Sequence, residues 1–257
     1  MIIDCFIFYN ELELLFYRLS ILYDKVDYFV LVESTRTYTG VDKPLYFEQN
    51  KALFDNFKDK IIHVIIDDLK AEPLSKDEVW LNEYKQRNSI DIGIKRLNLK
   101  NDDLIIVSDV DEIINPEVID RLQPNCSLEM DFYYYNLHTL NKNKWYYAKV
   151  IDYEFYKKRF ASKPNSIRWN SKFSYVIKNS GWHLSYFGDE YFIQNKLKNF
   201  AHQEWNSDYY TDVNKIKERM EKSQDLFERQ EEQWENIELS SNTNLPYKYE
   251  EYLKKYF

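Results

Sequence analysis

Residues 104–112 read Leu-Ile-Ile-Val-Ser-Asp-Val-Asp-Glu, an apolar run that ends in three carboxylates. The apolar and β-branched residues predict a buried strand. Side chains of an extended chain alternate between its two faces, so Asp109 and Asp111 are expected on the same face. In open α/β sheets, ligands bind outside the carboxyl ends of the strands. The stretch therefore predicts an α/β sheet with a ligand site at its edge.

The two aspartates also suggest a chemistry. Neighbouring carboxylates repel each other unless a proton or a cation lies between them. A hard divalent ion, bound by one or two carboxylates and by substrate phosphate oxygens, is the usual arrangement. Asp109 and Asp111 are therefore candidate ligands of Mn²⁺ or Mg²⁺, with a nucleotide sugar as the leading substrate candidate. The motif also fits a solvated strand end in which Asp109 caps the following turn.

Composition limits the class of protein. The chain has 257 residues, of which 44% are hydrophobic and 18% aromatic, enough for one globular α/β domain. Its formal net charge is −8 and no long basic run is present, which disfavours nucleic-acid binding. Cys5 and Cys126 lack metal-ligand spacing and are expected to be reduced thiols, with a disulfide between them left open.

The ends and the apolar segments of the chain contain no evident targeting signal. No segment approaches the roughly 20 apolar residues that a membrane-spanning helix needs. The first eight residues, Met-Ile-Ile-Asp-Cys-Phe-Ile-Phe, predict a strand and not a signal peptide, because they lack a basic start. These observations predict a soluble, cytoplasmic protein.

The hydrophobic pattern alternates between strands and helices in the first half. Strands are predicted at 2–8, 28–33, 61–66 and 104–108, and helices at 10–23 (capped by Asn10), 51–57, 78–97 and from Pro116 onward. This alternation is typical of a mostly parallel sheet with helices on both faces. Beyond residue 130, partly antiparallel strands are predicted at 132–137, 145–148 and 173–177, and helices at 189–200 and 213–236. No internal repeat or domain boundary is evident.

Several stretches together resemble one known family. They are residues 27–34 (Asp-Tyr-Phe-Val-Leu-Val-Glu-Ser), 43–47 (Lys-Pro-Leu-Tyr-Phe), 60–64 (Lys-Ile-Ile-His-Val), 86–88 (Gln-Arg-Asn), 108–113 (Ser-Asp-Val-Asp-Glu-Ile), 181–188 (Gly-Trp-His-Leu-Ser-Tyr-Phe-Gly) and 200–204 (Phe-Ala-His-Gln-Glu). In this order the chain resembles glycosyltransferase family 17 over roughly residues 2–225.

The resemblance implies a fold and a reaction. It implies a GT-A type fold with a Rossmann-like mixed sheet and a C-terminal helical segment. A single domain would span 1–257, with a nucleotide-binding half at 1–115 and an acceptor half at 116–257. The implied reaction is metal-dependent and inverting, and it moves a sugar, N-acetylglucosamine first, from a UDP-sugar to a glycan hydroxyl. The sequence lacks the membrane anchor and stem of the animal enzymes, so a bacterial or viral enzyme acting on a different glycan is at least as good an interpretation.

The resemblance also implies a metal site. Asp111 would bind the ion directly, and Asp109 would bind it through water or hold the ribose of the donor. GT-A enzymes commonly add one late histidine to the metal, and a neutral imidazole is a competent ligand. His183 and His202 are the two candidates.

An inverting displacement needs a carboxylate that takes the proton of the acceptor hydroxyl, opposite the leaving group. Glu190 is the first candidate because it starts a predicted helix after a glycine-containing turn. Asp189 and Glu204 are the other two. Ordinary acidity at a helix start would explain the same residues without catalysis.

Four further residues are candidate donor contacts. Arg87 and Asn88 lie on the helix before the acidic strand, and Arg87 offers a fork suited to phosphate or to a base edge. Glu33 ends a strand at the same sheet edge and would accept a hydrogen bond from ribose or uracil. Trp182 would shape a loop over the donor sugar, or else pack in the core.

Two other functions fit the same residues. A phosphohydrolase or nucleotidyl enzyme would use the same carboxylate pair and would release phosphate or exchange pyrophosphate. A non-catalytic glycan-binding protein would keep the fold without turnover. The acceptor, the linkage and the oligomeric state stay open at the level of sequence.

Overall fold

The computed structural model describes residues 1–171, 173 and 175–257. In that part of the chain, ten strands form one mixed sheet. The strands are Ile2–Ile7 (β1), Tyr28–Ser34 (β2), Ile61–Ile66 (β3), Leu104–Asp109 (β4), Glu112–Ile114 (β5), Cys126–Tyr134 (β6), Asn136–Asn141 (β7), Lys149–Asp152 (β8), Tyr175–Ser185 (β9) and Trp234–Asn236 (β10).

Short helices connect and cover the strands. The α-helices are Leu12–Leu22 (α1), Tyr46–Gln49 (α2), Lys76–Asn88 (α3), Ile90–Ile94 (α4), Tyr153–Arg159 (α5), Asn165–Arg168 (α6), Glu190–Asn199 (α7), Asp208–Thr211 (α8), Val213–Glu221 (α9) and Tyr249–Tyr252 (α10). Segments of 3₁₀ helix lie at Lys51–Phe57, Pro116–Arg121, Gln203–Trp205, Leu239–Ser241 and Lys254–Tyr256. The first and second of these replace the predicted helices at 51–57 and after Pro116.

The first half of the chain forms a parallel sheet in the order β3-β2-β1-β4. Alternate side chains of its strands enter two separate cores, as a period of two residues requires. Phe6 packs with Leu15 of α1 on one face, and Cys5 packs with Ile90 of α4 on the other. The prediction of an α/β sheet with helices on both faces is confirmed for this half.

The second half extends the same sheet in a different pattern. β8 runs antiparallel to β4, and β6 runs antiparallel to both β8 and β7. β9 lies parallel to β6 and antiparallel to β5. The whole sheet is therefore mixed, and the prediction of a mostly parallel sheet holds only for its N-terminal part.

Two predicted helices are shorter than expected. The helix predicted at 78–97 begins two residues earlier because Ser75 and Glu78 form a capping box, and it is interrupted at Ser89 between α3 and α4. The helix predicted at 213–236 is wrong beyond α9. The backbone of Ser223 and of Glu228 takes positive φ angles of 51° and 58°, which end the helix and turn the chain toward β10.

Other helix and strand boundaries also differ from the predicted ones. Asn10 is not the cap of α1, which begins after Glu11. The strand predicted at 132–137 is divided by the positive φ of Tyr135 (67°) into the ends of β6 and β7. The strand predicted at 145–148 is wrong, since only Trp145 forms an isolated bridge and β8 starts later. The strand predicted at 173–177 includes residue 174, which lies outside the described residues, and β9 starts at Tyr175.

Two further predictions concern membrane-spanning segments and the state of the cysteines. No described helix has both the length and the apolar character needed to cross a bilayer. Cys5 and Cys126 are buried and are not joined to each other.

Candidate active site

A cleft of about 480 Å³ opens at the carboxyl ends of β1, β2 and β4. Tyr9 and Arg36, just beyond β1 and β2, line one wall, and Trp145 and Arg168 from the second half line another. Both Asp109 and Asp111 face this cleft. The sheet edge for which the sequence predicts a ligand site therefore carries a cleft.

The cleft is more positive than the protein as a whole. Among its described lining residues, the cationic side chains are those of Arg36, Lys43, Arg87, Arg168, Lys196 and Arg229, and the carboxylates are those of Glu11, Glu83, Asp109, Asp111 and Glu232. Cations exceed carboxylates there, whereas the whole chain has a net charge of −8. Such a reversal favours an anionic ligand in the cleft.

A buried arginine supports the turn between β4 and β5. Arg18 of α1 is fully buried, and its guanidinium donates to the carbonyl oxygens of Asp109 and Glu112, both at 2.8 Å. Its Nε donates to Asp4 of β1 at 2.8 Å, which balances the charge. The backbone of the acidic turn is thus tied to a helix and to the central strand.

Glu112 belongs to the support of the site. It is fully buried, and its Oε1 accepts hydrogen bonds from Arg168 at 2.8 Å and from the Trp145 indole at 2.6 Å. Its Oε2 accepts from the backbone N–H of Asp109 at 2.9 Å. These bonds hold the start of β5 against Arg168.

Asp109 lies between two guanidinium groups. Arg87 donates to its Oδ1 at 3.0 Å, and Arg168 lies 3.0 Å from its Oδ2. Burial alone would raise the pKa of Asp109, but Arg168 and Arg87 outweigh it and hold that pKa well below its usual range. Asp109 is therefore a carboxylate whose orientation is fixed by two forks.

Asp111 has different neighbours. Its Oδ2 lies 3.2 Å from Nζ of Lys196, and its Oδ1 lies 3.7 Å from Nε2 of His183. The His183 ring packs against those of Phe132 and Trp145, with centroids 4.7 and 4.2 Å away. Burial lowers the pKa of His183, so the imidazole is neutral at pH 7. Its Nδ1 is buried and has no hydrogen-bond partner within the described part of the chain.

The described residues of the cleft provide only part of a ligand set for a metal ion. Across residues 1–171, 173 and 175–257, no group of three or more histidine, cysteine or carboxylate side chains is placed to hold an ion. Asp111 and His183 together offer one carboxylate oxygen and one neutral imidazole nitrogen. This pair fits an ion that takes its other ligands from substrate oxygens and water, as Mg²⁺ usually does.

The other candidate histidine lies on the cleft wall away from Asp111, and the candidate bases are not among the described lining residues. His202 lines the cleft, with Nδ1 2.7 Å from Oε1 of Glu204. Its ring is nearly perpendicular to that of Trp80, with the ring centroids 4.6 Å apart. Asp189 caps α7 by accepting from a backbone N–H at 2.8 Å, and Glu190 follows it in the first turn. None of the three carboxylates is among the described residues that line the cleft.

Three predicted donor contacts hold the fold in place. Glu33 is fully buried and accepts a 3.0 Å bond from a backbone N–H of α2. Oδ1 of Asn88 accepts from the backbone N–H of Asn165 at 3.0 Å, and the Trp182 indole donates to the carbonyl of Asn244 at 2.7 Å. Of the four predicted donor contacts, only Arg87 lines the cleft in the described structure.

The sequence analysis missed several residues of the site. Arg18 could have been found from the sequence, because it is a charged residue on the otherwise apolar, buried face of α1. No local sequence pattern indicates Arg168 or Lys196, since each reaches the acidic turn from a distant segment. Glu11 and Glu232 also line the cleft unexpectedly.

These features define an α/β protein with an acidic turn at the floor of a positively lined cleft. The chain belongs to glycosyltransferase family 17, whose family model matches residues 1–251. This membership places the chain in a class of sugar-transferring enzymes.

Individual relatives point to the same class. The chain is 33% identical over 108 residues to the human beta-1,4-mannosyl-glycoprotein 4-beta-N-acetylglucosaminyltransferase. Matches to the rat and mouse proteins of the same name are 33% and 32% identical. The matched stretch covers 40% of this chain but only 20% of the length of each relative.

Proposed function

We propose that this protein transfers a sugar, with N-acetylglucosamine as the first candidate, from a UDP-sugar to a glycan hydroxyl on a GT-A type fold. The observation that carries the proposal is the position of Asp109 and Asp111 at the floor of the positively lined cleft. The name of the human, rat and mouse relatives supports N-acetylglucosamine as the transferred sugar.

The wall next to β1 and β2 would receive the nucleoside of the donor. Tyr38 and Trp80 offer flat rings there, and Glu83 offers an acceptor. Asp109, fixed by its two arginines, would accept a hydrogen bond from a ribose hydroxyl. The diphosphate would then lie toward Asp111 and Arg168, where cations can balance its charge.

A divalent ion, Mn²⁺ or Mg²⁺, would be held by Asp111 with His183 as the imidazole ligand. When bound, the ion supplies Lewis-acid stabilisation of the charge on the departing diphosphate. His202 belongs to the rim, where Glu204 and Trp80 hold its ring.

Glu232 is the carboxylate best placed to act as the general base of an inverting displacement. The other described carboxylates of the cleft each have a cation within 3.3 Å. Glu232 instead accepts a 2.6 Å bond from the amide of Asn141 and lies 3.7 Å from the guanidinium of Arg229. It also lies just before β10, which is at the opposite end of the sheet from β1 and β2, the strands next to the proposed nucleoside wall. It therefore replaces Glu190, Asp189 and Glu204 in our proposal.

The test is UDP release from UDP-N-acetylglucosamine and other UDP-sugars with Mn²⁺, in wild type and in Asp111→Asn. We expect release by wild type and at least a hundredfold loss in the variant, because one transition-state contact is worth about 2.7–4 kcal/mol. Asp120→Asn, at an exposed aspartate outside the cleft, is the matched control and should keep full activity.

The alternatives have distinct outcomes. Phosphate release or pyrophosphate exchange without UDP release would indicate the phosphohydrolase or nucleotidyl enzyme. UDP binding without turnover on any donor and acceptor would indicate a binding protein. The anomeric configuration of the product, measured by NMR, decides between inversion and retention.

A further inference from the structure

One lysine lies in the cleft between two carboxylates. Lys196 is in the last turn of α7, and its side chain is 20% exposed. Its Nζ lies 3.2 Å from Asp111 and 3.3 Å from Glu11, and 5.4 Å from the ring centre of Tyr186. An ammonium group therefore lies beside the aspartate at which we place the donor diphosphate.

The arginines of the site are less free to bind phosphate. Arg87 and Arg168 each make several hydrogen bonds to carboxylates, including those to Asp109. A fork held at several atoms is fixed in orientation. Lys196 makes one contact to each of two carboxylates from a flexible stem, so it can exchange a partner without breaking a bidentate fork.

The present partners of Lys196 can also release it. Oε2 of Glu11 accepts bonds from the backbone N–H groups of Tyr9 and Asn10 at 3.3 and 3.0 Å, so this carboxylate keeps partners without the lysine. Asp111 keeps His183 nearby at 3.7 Å. An arriving dianion would therefore compete well for the ammonium group.

Resting on the proposed function, we infer that Lys196 binds the diphosphate of the donor directly and neutralises it as it departs. The bond between the anomeric carbon and the β-phosphate oxygen breaks, and its electron pair stays on that oxygen. The acceptor oxygen forms the new bond and gives its proton to Glu232. Lys196 transfers no proton; its positive charge offsets the charge that the leaving oxygen gains.

The first test compares nucleotide binding by titration calorimetry, with Mn²⁺ and separately with EDTA. Lys196→Met should weaken binding of UDP about ten- to hundredfold, the usual worth of a hydrogen bond to a charged group. Uridine, which has no phosphate, should bind wild type and variant equally. Lys196→Arg should recover part of the UDP affinity because it keeps the charge.

Lys198→Met is the matched control, since Lys198 lies two residues further along α7 and is exposed. It should bind UDP like wild type. Equal UDP binding by wild type and Lys196→Met would overturn the inference, and so would an equal loss of uridine binding, which indicates a structural role. Wild type that binds no UDP would instead overturn the proposed function.

A second test needs no variant and so does not depend on folding. Reductive methylation of wild type, read by mass spectrometry, reports how accessible each lysine is. UDP should protect Lys196 from methylation, uridine should not, and Lys198 should be labelled equally with both. The same labelling of Lys196 with and without UDP would contradict direct contact.

Discussion

Lys43 lies on the cleft wall, with its ammonium 5.5 and 5.4 Å from the ring centres of Tyr9 and Tyr46 and 4.0 Å from Glu33. Burial, only partly offset by Glu33 and Glu11, lowers the pKa of Lys43 to about 8. The ammonium is therefore charged at pH 7 and loses its proton above pH 8. The cleft loses one positive charge in this range.

We predict that UDP affinity falls about tenfold between pH 7 and pH 9, the loss expected for one charged contact. The second phosphate ionisation is largely complete at pH 7, and any other ionisation of UDP would affect wild type and Lys43→Arg alike. Lys43→Arg should abolish the fall, because a guanidinium stays charged. The free energy of unfolding should change in the opposite direction. Between pH 8 and pH 10 the lysine of the unfolded chain, with a pKa of about 10.4, holds more protons than the lysine of the folded chain. The free energy of unfolding should therefore rise over this range. Calorimetry at both pH values measures the affinity, and a parallel fall in the variant would contradict the assignment.

The sequence predicted that Asp109 and Asp111 lie at the end of a buried strand, but not which side chains contact them. Asp109 and Asp111 were identifiable because an apolar strand ends there, and Arg87 because it lies on the preceding helix. Arg168 and Lys196 reach the same carboxylates from segments more than fifty residues away. Their positions depend on tertiary packing, which no local pattern contains.

At the scale of secondary-structure elements, β9 supports the acidic turn by pairing with β5, the strand that follows the turn. Gly181 of β9 pairs with Ile114 of β5 and with Met130 of β6. A Cβ added at Gly181 would lie 2.2 Å from the carbonyl oxygen of Ile113, a backbone atom that cannot rotate away. Any side chain there must push β5 from β9.

We therefore predict that Gly181→Ala costs about 1–3 kcal/mol in free energy of unfolding, the usual cost of overpacking. Because β5 follows directly on Asp111, UDP affinity should fall as well. Urea unfolding followed by fluorescence measures the first effect. Lys178→Ala, at an exposed position of the same strand, is the control. Equal midpoints for the two variants would show that β5 yields without cost.

Helix prediction succeeded where a capping residue marks the start of the helix. It failed where the helix ends at a turn that the sequence pattern does not mark. Asp189 is a strong cap, and the helix predicted after it is confirmed as α7. The turn after α9 lies in a segment rich in helix-forming glutamate and glutamine, so the pattern continues past the end of the helix. Asp225 holds the turn through bonds to the N–H groups of Phe227 and Arg229, both 2.9 Å long.

At the scale of the whole molecule, one sheet joins the two halves of the chain. β8 pairs with β4, so strands of the second half belong to the same sheet as those of the first. The parallel pairing of β6 with β9 joins segments separated by about fifty residues, with β7 and β8 between them. Strand pairing over such distances is set by the packed core, so the sequence predicted the strands better than their order.

The C-terminal segment, residues 243–257, covers the hydrophobic core on the side of α1. Leu253 is fully buried and Tyr256 is 7% exposed, and both pack in the same core as α1. The Tyr17 hydroxyl donates to the carbonyl of Tyr247 at 2.7 Å, and the Tyr256 hydroxyl donates to Glu13 at 2.7 Å. None of these residues lines the cleft among those the structure describes.

Deletion of residues 243–257 should therefore destabilise the protein without removing the site. Exposing the core under two buried side chains costs about 3–6 kcal/mol. At roughly 2–4 °C per kcal/mol for a chain of this size, the melting temperature should fall by at least 5 °C. Calorimetry of the deletion against removal of Phe257 alone, a largely exposed residue, measures the effect. At a temperature where the truncated chain is folded, it should still bind UDP. A melting temperature within 1 °C of wild type would mean that the segment only covers the core, whereas folded protein that has lost UDP binding would mean that it also positions the acidic turn.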